Sequence, residues 1–367
     1  MRSPSYHPAW WVPGPHLKTL WGKLFRPRPR VATRVERWDT PDGDFLELHR
    51  LDTSGTPATP TGSRAAPRHT SSREMPRLLI LHGLEGSARS HYALGLMAEA
   101  GRRGWDADLL IWRSCGTEMN RAARFYHSGE TTDLDFVVRR LVEQSPGTPL
   151  VIAGVSLGGN VLLKWLGERG TDLPPGLRGA AGVSVPFDLA RGARHLDRGF
   201  ARVYQASFVR SLRRKAVAKR ARYPALFPDA ALGRLRTIYQ FDDAVTAPLH
   251  GFRDAEDYYA RSSSIHYLAR VRLPTLLLSA VDDPFLPAGV LDEVRALARD
   301  NAALHIEFVR EGGHVGFVAG TRPWRPVYYA ERRVVDFLSS TLGVRRDSAP
   351  LRESTSDTRS ANPRPSP

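Results

Sequence analysis

The stretch Gly154-Val155-Ser156-Leu157-Gly158 limits what this chain can fold into more than any other. It joins an apolar run, Leu150–Ala153, to a segment with helical spacing, GNVLLKWLGE, which starts at Gly159. A G-x-S-x-G motif between a strand and a helix reads as a sharp turn that lifts a serine hydroxyl above a sheet. The backbone at such a turn is strained. Strand and helix pass so close there that only tiny residues fit two positions before and after the serine. The helix start beneath Ser156 offers free N–H groups and a positive dipole end to any oxyanion that forms beside it.

Further short apolar runs without alternation fall at Leu78–Leu81, Ala107–Trp112, Gly182–Val185 and Thr275–Ala280. Runs of this kind suit strands buried on both faces of a parallel sheet. Helical patterns separate them, over roughly 90–102, 131–144, 157–168, 288–300 and 327–341. Phe45–His49 alternates apolar and polar after an Asp42-Gly43 turn, as an edge hairpin does. The fold class expected is α/β, a mostly parallel doubly wound sheet. The span 188–270 breaks the rhythm: it is long, basic and mostly helical by pattern. It falls between two core strands, so it is expected to project as a helical cap over the strand ends, where sheets of this kind place their sites. The division expected is 1–187 and 271–343 for the two parts of the core, with 188–270 as the inserted cap. Segment 52–77, rich in Ser, Thr, Pro and Gly, reads as a flexible loop, and 344–367 as a disordered tail.

A serine hydroxyl is a weak nucleophile and needs a base. His314 stands in Glu311-Gly-Gly-His-Val-Gly316, directly after the apolar run Ile306–Val309, with small neighbours that let a hydroxyl approach the imidazole. An acid that orients the imidazole is expected at the carboxyl end of TLLLSA, where Asp282-Asp283-Pro284 follows. Asp283 is the preferred acid and Asp282 the alternative. The chain order Ser156, Asp283, His314 is the one that α/β sheets with this elbow use. Two backbone donors are needed for the oxyanion. One is expected from Leu157 and the other from Leu84, in the loop His82-Gly83-Leu84-Glu85-Gly86 after an early strand. His82 is read as a residue that holds this loop.

With these residues placed, the chain resembles the YheT-like branch of the α/β-hydrolase superfamily, related to the mammalian ABHD lipases. The resemblance runs from about residue 10 to 340 and rests on many segments in one order. They include Pro15-His-Leu-Lys-Thr-Leu-Trp-Gly22, HGLEGS at 82–87, Arg113–Asn120 and Tyr126-His-Ser-Gly-Glu-Thr131. GVSLGGN at 154–160, Val185–Asp188, Phe241–Pro248, DDPF at 282–285 and GGHVGF at 312–317 complete it. It implies an α/β-hydrolase fold, a triad of Ser156, Asp283 and His314, and hydrolysis of carboxylic esters of undefined natural substrate. Acyl transfer or thioester cleavage by the same triad is the alternative. Some related acyltransferases carry His-x4-Asp at the catalytic histidine, whereas Ala319 stands five residues after His314 here.

Composition narrows the rest. One cysteine, Cys115, excludes an intrachain disulfide and a cysteine-based zinc site. HExxH, a phosphate-binding P-loop and a strand-following G-x-G-x-x-G are absent, so no metal, nucleotide or other cofactor is expected. The net charge is +15, and residues 191–222 alone hold eleven Lys/Arg against Asp197. No nucleic-acid motif accompanies that charge, so a nucleic-acid partner is not expected. A small-molecule ester or lipid is, together with peripheral contact with an anionic membrane. The opening MRSPSYHPAWW has no apolar h-region, and a cytoplasmic monomer is the expectation.

Overall fold

The computed structural model describes residues 5–52, 75–226 and 232–343. The segments expected to be a flexible loop and a tail lie almost wholly outside them. Eight strands form one sheet: β1 (Thr33–Asp39), β2 (Phe45–Leu51), β3 (Arg77–Leu81), β4 (Asp106–Ile111), β5 (Leu150–Val155), β6 (Leu177–Val183), β7 (Thr275–Ala280) and β8 (Leu304–Val309). Their spatial order is β1-β2-β4-β3-β5-β6-β7-β8. The first two strands are antiparallel additions at one edge, and β4 to β8 run parallel. Strand β6 starts earlier than the apolar run suggested. Its small residues Gly179 to Gly182 carry little hydrophobic signal, yet a side chain at Gly179 would collide with Thr341.

Side chains alternate across a strand, so each buried strand feeds two cores. Leu78 and Ile80 of β3 pack with α2 (His91–Arg102) and the C-terminal helix Tyr329–Thr341. Leu79 and Leu81 pack with α3 (Thr132–Gln144), α4 (Leu157–Arg169) and the helix Ala288–Arg299. Helices on both faces are what nearly continuous apolar strands require.

The chain leaves β3 toward β4 on one side and returns to place β5 on the other. This switch point opens a crevice at the carboxyl ends of β3 and β5. Leu81 pairs in register with Gly154, so the loop after β3 and the turn after β5 must meet.

An N-terminal helix, α1 (Gly14–Leu24), precedes the sheet, and between β6 and β7 come α5 (Leu189–Leu196), α6 (Ala201–Arg222) and the helix Ala255–Ser262. Helix α6 lies over the strand ends and is fastened at three places. Tyr204 packs on Phe285 beyond β7, Lys215 pairs with Glu85 beyond β3, and Lys219 is buried against the loop beyond β4. Lys219 Nζ donates to the carbonyls of Asn120 and Ala122 at 2.9 and 2.6 Å, and burial lowers its pKa to about 8. That loop in turn begins at Arg113, which is buried between the carboxylates of Asp44 and Asp133 at 2.6 and 2.7 Å. Removing one member of such a group strands buried charge. Arg113→Ala is expected to cost about 3–5 kcal/mol in urea denaturation; a loss below about 1 kcal/mol would show that the two acids find other partners.

Candidate active site

Ser156 ends β5 with φ +53° and ψ −121°, a strained conformation for a residue with a side chain. Its N–H donates to Val183 O at 2.8 Å, which holds the turn against β6. A Cβ on Gly158 would stand 2.4 Å from the carbonyl oxygen of Leu81, so only glycine lets α4 start here.

The Oγ of Ser156 lies 3.0 Å from His314 Nε2. On the far side of the ring, Nδ1 is 2.8 and 3.1 Å from the two carboxylate oxygens of Asp283. With Nδ1–H donating to Asp283, Nε2 is left free to accept the serine proton. Phe285 stacks on the imidazole at 4.0 Å and 11° between planes, and its N–H donates to Asp283 Oδ1 at 2.8 Å. Asp283 and His314 are both buried. Asp282 faces elsewhere: its Oδ1 accepts the N–H groups of Gly312 and Gly313 at 2.7 and 2.8 Å. The two adjacent acids thus divide the work, one against the imidazole and one against the loop that carries it.

Leu84 and Leu157 flank Ser156, and neither backbone N–H has a protein acceptor among the described residues. The loop around Leu84 is held on both sides. Gly83 N–H donates to the Tyr92 hydroxyl at 2.9 Å, and Glu85 N–H to the Tyr126 hydroxyl at 2.8 Å. The Glu85 carboxylate accepts from Tyr126 at 2.9 Å, from Lys215 at 2.6 Å and from Ser211. His82 Nδ1–H donates to Gly83 O at 2.8 Å while Nε2 accepts Trp112 N–H at 3.2 Å. Burial lowers its pKa to about 4, so it holds the loop as a neutral ring.

Sequence reasoning gave no role to α1, and the structure does. Thr19 Oγ1 accepts His314 N–H at 2.9 Å and donates to Pro15 O at 2.7 Å. Lys18, buried, pairs with Glu311 of the same loop. A Cβ on Gly316 would meet Lys18 O at 2.4 Å, so helix and loop are in backbone contact. The motif Pro15–Gly22 was visible, but nothing local links it to a loop some 295 positions away.

A cavity of about 700 Å3 opens above Ser156 and His314, walled by Leu20, Leu84, Leu189, Phe208 and Phe285. A smaller chamber of about 70 Å3 lies past Leu84 and Leu157, among Phe125, Tyr126, Phe241 and Tyr258. Asp242 borders both; it accepts from Thr246 and Tyr259 hydroxyls at 2.7 and 2.8 Å, and burial raises its pKa to about 6. His127, Glu130 and His250 gather ligand-type atoms within 4.8 Å beside this chamber. Two of these side chains are already engaged: His127 Nδ1 accepts Gly129 N–H at 3.1 Å, and Glu130 binds Arg124 at 2.8 Å.

A family model described as alpha/beta hydrolase fold matches residues 76–320. The chain belongs to that family. It is 38% identical over 329 residues to the "Putative esterase YheT" of Escherichia coli (strain K12), covering 89% of this chain and 91% of that one. It is 28% identical to the phospholipase ABHD3 of Mus musculus, over 92% of this chain and 79% of that one. Among solved structures, a Pyrococcus furiosus esterase superposes with a TM-score of 0.52 at 14% identity, covering 86% of this chain and 97% of that one, a likeness of fold. The family is thus of esterase and lipase type.

Two expectations follow. Thr19→Val removes the acceptor for His314 N–H at little change in volume. It is expected to lower kcat for p-nitrophenyl butyrate by about tenfold or more with KM nearly unchanged, and Thr19→Ser to restore it; equal loss in both variants would contradict this. Asp242 favours its protonated form in the fold, so it removes stability as pH rises from its usual 3.8 through about 6. Asp242→Asn is therefore expected to gain up to roughly 3 kcal/mol on the wild type between acid and alkaline pH in urea denaturation. A pH-independent difference would contradict it.

Proposed function

We propose that this protein is a serine hydrolase that cleaves carboxylic esters of amphiphilic molecules through an acyl-enzyme. The observation that carries this reading is the contact chain from Ser156 Oγ to His314 Nε2 at 3.0 Å and from His314 Nδ1 to Asp283 at 2.8 Å. Its place on the floor of a cavity of about 700 Å3 with apolar walls supports a substrate with a substantial apolar part. The esterase and phospholipase names of the relatives agree with ester chemistry.

In this reading His314 takes the Ser156 proton as Oγ attacks the ester carbonyl. The carbonyl oxygen becomes an oxyanion held by the N–H groups of Leu84 and Leu157. Asp283 stays ionised and stabilises the imidazolium. The imidazolium then gives its proton to the departing alkoxide, and the C–O bond breaks. Water repeats the cycle on the acyl-enzyme: His314 takes its proton, the hydroxide adds, and Ser156 leaves with the proton returned. Each oxyanion donor is worth on the order of 3–4 kcal/mol of barrier.

No helix among the described residues is long and apolar enough to cross a membrane. The exposed cations of α6 support peripheral contact with an anionic lipid surface.

The test uses p-nitrophenyl butyrate. Ser156→Ala is expected to reduce kcat by at least about a thousandfold with the fold retained by circular dichroism. Asp283→Asn is expected to lose a similar factor, whereas Asp282→Asn, which still offers an oxygen to the Gly312 and Gly313 N–H groups, loses far less. Undiminished turnover in folded Ser156→Ala would overturn the reading, and a greater loss in Asp282→Asn than in Asp283→Asn would reverse the acids.

A further inference from the structure

The cavity above Ser156 is lined by more cationic than anionic side chains. Two carboxylates stand in its wall, Glu85 and Asp242. Glu85 is taken up by Lys215, Tyr126 and Ser211, and Asp242 by two hydroxyls. Four exposed cations line the same cavity: Lys23, Arg28, Arg89 and Arg214. Among the described residues none of the four makes an ion pair or donates a side-chain hydrogen bond. This sets them apart from Arg26, Arg50, Arg77, Arg113 and Arg191, which each hold a carboxylate within 3.0 Å.

Packing brings together the elements that bear three of the four cations, Lys23, Arg89 and Arg214. The imidazole of His91, two residues after Arg89, lies directly over Gly22, so the end of α1 that bears Lys23 abuts the loop that bears Arg89. Ser211 and Lys215 of α6 grip Glu85 in that same loop, with Arg214 between them in sequence. Apolar side chains share the cavity wall with these charges: Phe200 and Val203 are 48% and 57% exposed. Unpaired cations lining a cavity that also has apolar walls suit a phosphate or similar anion joined to an apolar chain.

We propose that the substrate is an ester-bearing lipid with an anionic, phosphate-type head group, which Lys23, Arg28, Arg89 and Arg214 hold at the cavity mouth while the scissile ester reaches Ser156. This rests on the hydrolase reading above and adds the head group to it. The cations act on binding and orientation, and the ester chemistry stays with the groups below.

Two substrates with the same acyl chains test it: dihexanoyl phosphatidic acid and dihexanoylglycerol, each below its micellar concentration so that no lipid surface is present. The expected result is a kcat/KM for the phosphatidic acid about tenfold or more above that for the neutral lipid, falling as salt is raised. In the double variant Arg89→Gln/Arg214→Gln, made at exposed positions, that ratio is expected to fall by about tenfold. A ratio near one in the wild type, a ratio unchanged in the double variant, or cleavage of p-nitrophenyl butyrate with neither lipid cleaved would each overturn the proposal. Inhibition of dihexanoylglycerol cleavage by inorganic phosphate at concentrations as low as the phosphatidic acid KM would assign the cations to a free anion and overturn it too. Loss of the hydrolase reading is a separate result: no turnover of any ester, or turnover that survives Ser156→Ala.

Discussion

The structure depends on one crowded junction, where the end of β3, the turn at Ser156 and the start of α4 share a space too small for a single extra carbon. Leu81 O would stand 2.4 Å from any Cβ at residue 158. Because the sheet pairs Leu81 with Gly154, the loop after β3 has nowhere to go except past the serine. The same crowding sets the positive φ of Ser156 and exposes the first N–H of α4. Strain, a raised hydroxyl and unsatisfied donors are therefore one geometric fact seen from three sides.

Support for this junction comes from parts of the chain that are remote in sequence. The helix near the N-terminus braces the His314 loop through Lys18 and Thr19. Asp282 ties the same loop from β7, and α6 reaches the Leu84 loop through Ser211 and Lys215. Each of the loops that meet at Ser156 is thus fixed by at least one group outside it. A site whose reacting atoms must stay within a few tenths of an ångström needs such outside bracing.

What could be read in the sequence follows from how local each cause is. The elbow is a steric pattern within five residues, and the buried strands are runs of four to six apolar residues, so both are visible without a structure. Ser156, Asp283 and His314, picked out by position after β5, β7 and β8, form a chain of contacts in which His314 reaches both of the others. Between Asp282 and Asp283 the sequence supports only a preference for Asp283, since adjacent acids share most local signals and differ in which way the strand end points them. The start of β6 was hidden because glycine and alanine, needed there for close packing, carry no hydrophobic pattern. The bracing role of α1 was hidden because it exists only once the chain has folded back on itself. The unpaired cations of the cavity wall were likewise lost among 53 lysines and arginines until the fold placed them on one cavity.

The central claim is that a hydroxyl strained above β5 is the group that attacks substrate. The most direct measurement is mass spectrometry of the whole protein and its peptides after brief exposure to a fluorophosphonate. The account predicts one phosphonyl group per chain, on the peptide that contains Ser156. Folded, ester-cleaving protein that takes up no label on that peptide, or takes it up at another residue, would contradict it.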